Sequence, residues 1–270
     1  MTIFLIIVLI FLITNPQIVS QEVYNASYLW FSVLLPTMYP SFVILDLIET
    51  MPLTLKFSKL LFPIFRLIFK INYQKSAFII ILSFLCGAPA STKVIKNCLE
   101  RNEISKSEAD NLICAFSFLS LPYTILICSS IKVSLLLFYP LLALIASLYM
   151  QIFNKKTTNN LQINFVKEKL AQTFFSSLKK NIDIVINILG ILVIFRVIIK
   201  LFFKESFILY PYLEILGGLA QNNNNFITLS ALGFLGISIH LQIINIYPIK
   251  YSKFFISRFP FLLLGVLAFF

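Results

Sequence analysis

The chain has 270 residues, 59% of them hydrophobic, and a mean hydropathy of +0.92. That composition excludes an ordinary water-soluble domain and reads as an integral membrane protein with lipid as its first partner. The net charge of +11 sits in short loops beside apolar runs, as membrane topology produces, so nucleic acid is not an expected partner. Cys86, Cys98, Cys114 and Cys128 are far apart, with no CxxC and no nearby histidine pair. Neither a disulfide nor a zinc site is expected, and no cofactor.

In chain order, residues 2–13 are apolar and uncharged. No basic segment precedes them and no small-x-small cleavage site follows, so they read as a retained first transmembrane helix. Residues 15–27 are polar and lack lysine and arginine, which marks an outer loop. Residues 28–49 read as a second span that Pro36 and Pro40 should kink or open. Asp46 and Glu49 near its inner end read equally as functional intramembrane carboxylates or as helix-end acids in the headgroup zone. Residues 52–75, with Lys56, Lys59, Arg66 and Lys70 among Leu, Ile and Phe, predict a basic amphipathic surface helix.

The apolar run 76–86 is about half the ~20 residues that a spanning helix needs. It meets Gly87-Ala88-Pro89, where a helix must break, and a basic helical pattern restarts at Ala90. The plain geometry is a re-entrant hairpin whose tip carries Cys86, Gly87, Pro89, Ser91 and Thr92. Irregular backbone at that depth survives only inside protein or beside a water-filled cavity. The restarting helix aims its N–H groups and positive dipole end at the tip. The tip therefore reads as a binding site, against the alternative of a plain loop between two helices. Lys93 reads either as a partner for a solute carboxylate or as a headgroup-zone lysine.

Ser105 and Glu108 form a capping box that starts a new helix. Residues 109–130 read as an outward span interrupted by Pro122, with Ser117, Ser120 and Thr124 beside it. Those hydroxyls either satisfy freed carbonyls or face a solute. Residues 133–153 return inward through Pro140, and residues 154–180 form a long cytoplasmic linker. Residues 181–203 cross outward with Arg196 inside the span. Residues 210–220, with Glu214, Gly217 and Gly218, are too short to span and read as a second re-entrant arm. Residues 226–247 cross inward, carrying Ser238, His240 and Gln242, and residues 254–270 form a closing span. All lysines and arginines except Lys132, Lys200, Lys204 and Arg196 then fall on cytoplasmic segments. His240 is the only histidine; it reads either as a proton carrier near neutral pH or as a hydrogen-bonded packing residue.

The expected fold is all-α: a polytopic membrane protein of inverted repeats, with re-entrant hairpins and broken transmembrane helices. Residues 1–27 hold the first helix and outer loop, residues 28–153 the first repeat, residues 154–180 the linker and residues 181–270 the second repeat. An enzyme is not expected, because no HExxH, G-x-S-x-G or second histidine is present.

Several stretches resemble one family. Residues 85–99 (LCGAPASTKVIKNCL) followed by Glu103-Ile-Ser-Lys-Ser-Glu-Ala109 are similar to the "SGxPxGAK…L…IS..EA" block of the sporulation integral membrane protein YlbJ family, grouped with nucleoside-recognition Gate domain proteins. Residues 34–42 resemble its "lPsLFPFf" segment, residues 213–218 its "LEit.G" segment and residues 233–242 its "f.GLsvhxQ" segment, with Arg258 near the basic residue that follows. The resemblance runs from about Trp30 to Phe261. It implies a nucleoside-transporter-like fold and, in spore formers, movement of the anion dipicolinate across the cell or forespore membrane. It implies substrate contacts from Glu214, Ser238, His240 and Gln242. Departures are Cys86 for the family's serine, Ser91 for its second glycine, and Phe118 and Leu119 for two amides of "FxNNSxP". The expected solute is small and anionic, dipicolinate-like, or nucleoside-like. Coupling to H+ or Na+ and homo-oligomer formation stay open. A non-transporting partner protein in sporulation is the other reading.

Overall fold

A computed structural model describes residues 2–120, 124, 145, 148, 170–203, 206, 208–220 and 224–263. The described residues are helical and hold no strand. Pro122 with the second half of the expected span 109–130, and the expected span 133–153, lie outside them apart from three single residues, as do residues 154–169 of the expected linker and the end of the closing span.

In order, α1 is Thr2–Thr14, α2 is Pro16–Leu29, and a π turn at Trp30–Leu34 leads into α3, Leu35–Glu49. Residues 15–27 are therefore not an outer loop. Residues 16–27 form the first third of one 34-residue helix, Pro16–Glu49. The two prolines do not interrupt it. Pro36 has no N–H for the ladder, and the π turn before it takes up the misfit, with the Leu35 N–H reaching the Trp30 carbonyl. The Thr37 and Ser41 hydroxyls donate back to the Val33 and Thr37 carbonyls beside Pro40.

Next come α4, Pro52–Phe69, and α5, Gln74–Cys86, bent by 82° where Lys70 adopts a left-handed conformation. The basic helix α4 leaves Leu60 and Leu67 70% and 83% exposed, whereas α5 is almost wholly buried. α6 is Ala90–Glu100 and α7 is Lys106–Phe116. Ser105 caps α7 as the sequence predicts, accepting from the Glu108 N–H at 3.2 Å. The Glu108 carboxylate turns elsewhere, accepting from the Asn72 N–H and the Ser76 hydroxyl at 3.0 Å each.

The second half begins with α8, Leu170–Phe203, a 34-residue helix that starts inside the segment expected to be linker. Its first turns are polar because Ser177 and Asn181 are buried against α3. Short α9, Tyr210–Leu213, and α10, Ile215–Ala220, follow, then α11, Asn225–Phe234, and α12, Gly236–Ile246. α13, Tyr251–Ser257, ends in a turn at 258–263, so no continuous helix starts at 254.

The two 34-residue helices lie antiparallel and anchor the molecule. The Trp30 indole donates to the Val185 carbonyl at 3.0 Å, and the Tyr39 hydroxyl to the Leu178 carbonyl at 3.2 Å. Three helices are long and apolar enough to cross a membrane, Pro16–Glu49, Leu170–Phe203 and Asn225–Ile246, or four if the bent α4–α5 pair counts as one. α1, at 13 residues, is shorter than a span. The two long helices expose apolar side chains such as Phe31, Phe175 and Ile194, more than half exposed. Apolar surface on this scale suits lipid rather than water. The architecture is compatible with a multi-pass membrane protein.

Candidate functional site

In the first half, the chain between α5 and α6 crosses the extended segment that follows α7. Gly87 has a φ of +66° and the Ala88–Pro89 peptide is cis. The Ala88 N–H donates to the Phe118 carbonyl. A Cβ at position 87 would lie 2.6 Å from the Leu119 carbonyl carbon and 2.7 Å from the Ser120 Cα. Only glycine permits both that φ and that approach.

The second half also holds interrupted helices. α9 and α10 are separated at Glu214, and α11 and α12 at Leu235, with φ +77°, and Gly236, with φ +61°. A Cβ at Gly236 would stand 3.1 Å from the Ile215 nitrogen. In the first half the break between α5 and α6 thus meets the extended segment 117–120 that follows α7, and in the second half the break at Glu214 lies beside the one at Leu235-Gly236. The sequence locates the first of these points, at Gly87-Ala88-Pro89; it puts the next at Pro122, outside the described residues, and ends the second arm at Gly217-Gly218 where the structure breaks it at Glu214. It misses Leu235, because a single left-handed leucine leaves no trace in an apolar pattern.

The four breaks border one cavity of about 520 Å³. Cys86, Ala88 and Ala90 come from the first break, Leu119 and Ser120 from the second, Leu216 and Ile239 from just beyond the other two, and Thr37, Ser41 and Phe42 from α3. The wall is mostly apolar. Leu119 stands in it, and Phe118 stacks on Phe84 behind it at 5.1 Å between centroids.

α6 and α12 touch, and their buried polar side chains form a second feature. Ser91 and Thr92 on α6, and Ser238 and Gln242 on α12, are 0–1% exposed. Their hydroxyls and both amide atoms of Gln242 find no hydrogen-bond partner among the described residues. Buried polar groups are nearly always paired, and leaving one unpaired costs about 1–3 kcal/mol.

Other predicted residues have local work. Glu214, fully buried, accepts from the Leu216 and Gly217 N–H groups at 2.8 and 2.7 Å. Its own carboxylate occupies the α10 N-terminus where an anion would sit. Gly217 and Gly218 pack against Tyr210 and Pro211 in the same turn. His240 places Nε2 2.7 Å from the Phe234 carbonyl, the last of α11 before the break. Its ring lies 4.8 Å from the Phe234 ring and 4.9 Å from that of Phe254. Fully buried Arg258 does the same for α7. It donates to the Ser117 carbonyl at 2.8 Å and to the Cys114 carbonyl. His240 and Arg258 thus satisfy the carbonyls that two breaks set free.

Behind the Phe42 wall lies a buried ionic cluster. Lys93, 1% exposed, pairs with Asp46 and donates to the Phe42 carbonyl at 3.2 Å. Lys93, Asp46 and Glu49 are all buried inside the protein. Asp46 also accepts from Ser177, and from Asn181 at 3.0 Å. Asn97 joins Asp46 to Glu49 at 3.3 and 3.1 Å, and Arg101 pairs with Glu49 at 3.3 Å. No sequence spacing brings α3, α6 and α8 together, so this cluster was legible only as separate charges.

At the opposite end of the long helices, Arg196 pairs with Glu22 at 3.5 Å beside a cavity of about 410 Å³ with Gln21, Asn25, Lys200 and Tyr210. Arg196 is thus held by a carboxylate rather than exposed at an interface. Among the described residues no three His, Cys, Asp or Glu side chains gather as a metal site. No family model matches the chain, and no curated protein or solved structure is found to match it.

Proposed function

We propose that the chain is a multi-pass membrane carrier of a small solute, bound where the broken helices cross. The solute is anionic and dipicolinate-like, or nucleoside-sized. On this reading the halves are inverted repeats, with α5–α6 and α9–α10 as re-entrant hairpins, the organisation of many secondary transporters. The supporting observation is the group of buried side chains without partners among the described residues, Ser91, Thr92, Ser238 and Gln242, on two touching half-helices whose neighbouring Ala90 and Ile239 line the cavity. A bound solute supplies the missing partners. Lys93, one turn beyond Ala90 in the cavity wall, favours an anion.

The apolar wall motivates a second reading, a non-transporting partner protein that keeps the fold. Phe118 and Leu119 bring no polar side chain to the crossing.

Uptake by purified protein in proteoliposomes separates the two. Dipicolinate and a nucleoside panel are offered, with Gly87→Leu as the control that blocks the crossing. The carrier reading expects uptake of at least one solute and its loss in the variant. No uptake by folded protein favours the partner reading.

A further inference from the structure

Lys93 is buried, yet it belongs to no closed network. Its ammonium has three donors, and the described residues give it two acceptors, the Asp46 carboxylate and the Phe42 carbonyl. Phe42 also forms the cavity wall, and its ring lies 5.7 Å from Lys93 Nζ. Ala90, on the cavity, and Lys93 are three residues apart on one face of α6. One aromatic side chain therefore separates a buried cation from the proposed solute site.

Removing the Asp46 charge while Lys93 stays charged and buried leaves an uncompensated ion, which is strongly destabilising. A second anion at Lys93 removes that cost. Conversely, a solute carboxylate arriving beside an ionised Asp46 places two anions on one ammonium, and protonating Asp46 relieves the repulsion. We infer that Lys93 is shared between Asp46 and the solute carboxylate, so that the carrier takes up one proton with each carboxylate it binds. This rests on the carrier reading above. The step balances: the Asp46 carboxylate takes a proton from water on the open side and becomes a neutral acid. Lys93 keeps its proton and exchanges the Asp46 oxygen for a solute oxygen. The proton on Asp46 offsets the charge of the one carboxylate held by Lys93, and release on the other side reverses both transfers.

The surroundings suit a switching Asp46. From α8, Ser177 and Asn181 hydrogen-bond Asp46, and Lys180 reaches Asn97 at 3.1 Å. On α3 itself, Glu49 is held by Asn97 and by Arg101, so it has its own counter-charge. Lys75 of α5 lies against the Glu49 carbonyl and Glu103, at 3.2 and 3.8 Å. Lys93 is thus the cation in direct contact with Asp46.

The test uses purified full-length protein in proteoliposomes, with dipicolinate as the probe and protein-free liposomes as the blank. The outer pH is lower than or equal to the inner, and a sodium gradient is present or absent. We expect uptake to follow the proton gradient, with accumulation rising about tenfold per pH unit for one coupled proton. Asp46→Asn should abolish the response to the gradient, and Asp46→Glu should retain it. Lys93→Gln should lose carboxylate uptake. The double variant Asp46→Asn/Lys93→Gln removes both charges and serves as the folding control. Wild-type uptake that ignores the proton gradient, or follows sodium instead, overturns the inference while leaving the carrier reading standing. An Asp46→Asn protein that still follows the proton gradient also overturns it. No uptake of any probe by folded protein overturns both.

Discussion

Gly87 holds the first crossing together because it has no side chain. Its φ of +66° already disfavours other residues, and the Leu119 and Ser120 backbone occupies the space of a Cβ. Gly87→Ala should therefore cost more than the roughly 1 kcal/mol typical of a glycine change elsewhere. Thermal unfolding in detergent should show a clearly lower Tm. An unchanged Tm would mean that the two chain segments do not cross there. At this scale the sequence is informative: Gly87 and Pro89 announce the break, and Ser91, Thr92, Ser238 and Gln242 stand out as polar residues in apolar or broken stretches, although their lack of partners among the described residues shows only in the fold. The roles of Glu214 and His240 were less legible. A carboxylate that caps its own helix and an imidazole beside a freed carbonyl use atoms that become neighbours only once the chain is folded.

Among the elements, each broken helix needs its loose carbonyls met from elsewhere. For α7 that partner is Arg258, which reaches the Cys114 and Ser117 carbonyls from beyond α13. Arg258→Ala should leave those acceptors buried and unmet, at a cost of about 3 kcal/mol. Arg258→Lys should restore only part of it, because an ammonium lacks the planar fork that spans two carbonyls. Detergent unfolding of the two variants checks this. Equal stability for Ala and wild type would remove Arg258 from the architecture. Element boundaries were the least legible level. The stretch 15–27 is polar, yet Glu22 faces Arg196 across the helix pair and the stretch stays helical. The polar start of α8 is helical for the same reason, with Ser177 and Asn181 turned onto Asp46. In both cases tertiary pairing supplies what the hydropathy pattern lacks.

For the molecule as a whole, the antiparallel helices Pro16–Glu49 and Leu170–Phe203 carry an ionic contact at each end. Glu22 with Arg196 marks one end, and Asp46 with Lys93 the other. Positions 22 and 46 are about 36 Å apart at 1.5 Å per residue, close to the ~30 Å hydrocarbon thickness of a bilayer. The central cavity is bordered by α3 between those ends, and both halves contribute their breaks to it. In the proposed carrier this is where solute binds. Cys86 is partly exposed, whereas Cys98 and Cys114 are buried. It stands in the cavity wall and offers a native reporter there. The decisive measurement is maleimide alkylation of a variant in which Cys98, Cys114 and Cys128 are alanine, followed by uptake in proteoliposomes. The account predicts that alkylation at Cys86 abolishes uptake and that the transported solute, added beforehand, slows the labelling. Full alkylation of Cys86 with uptake intact would contradict it.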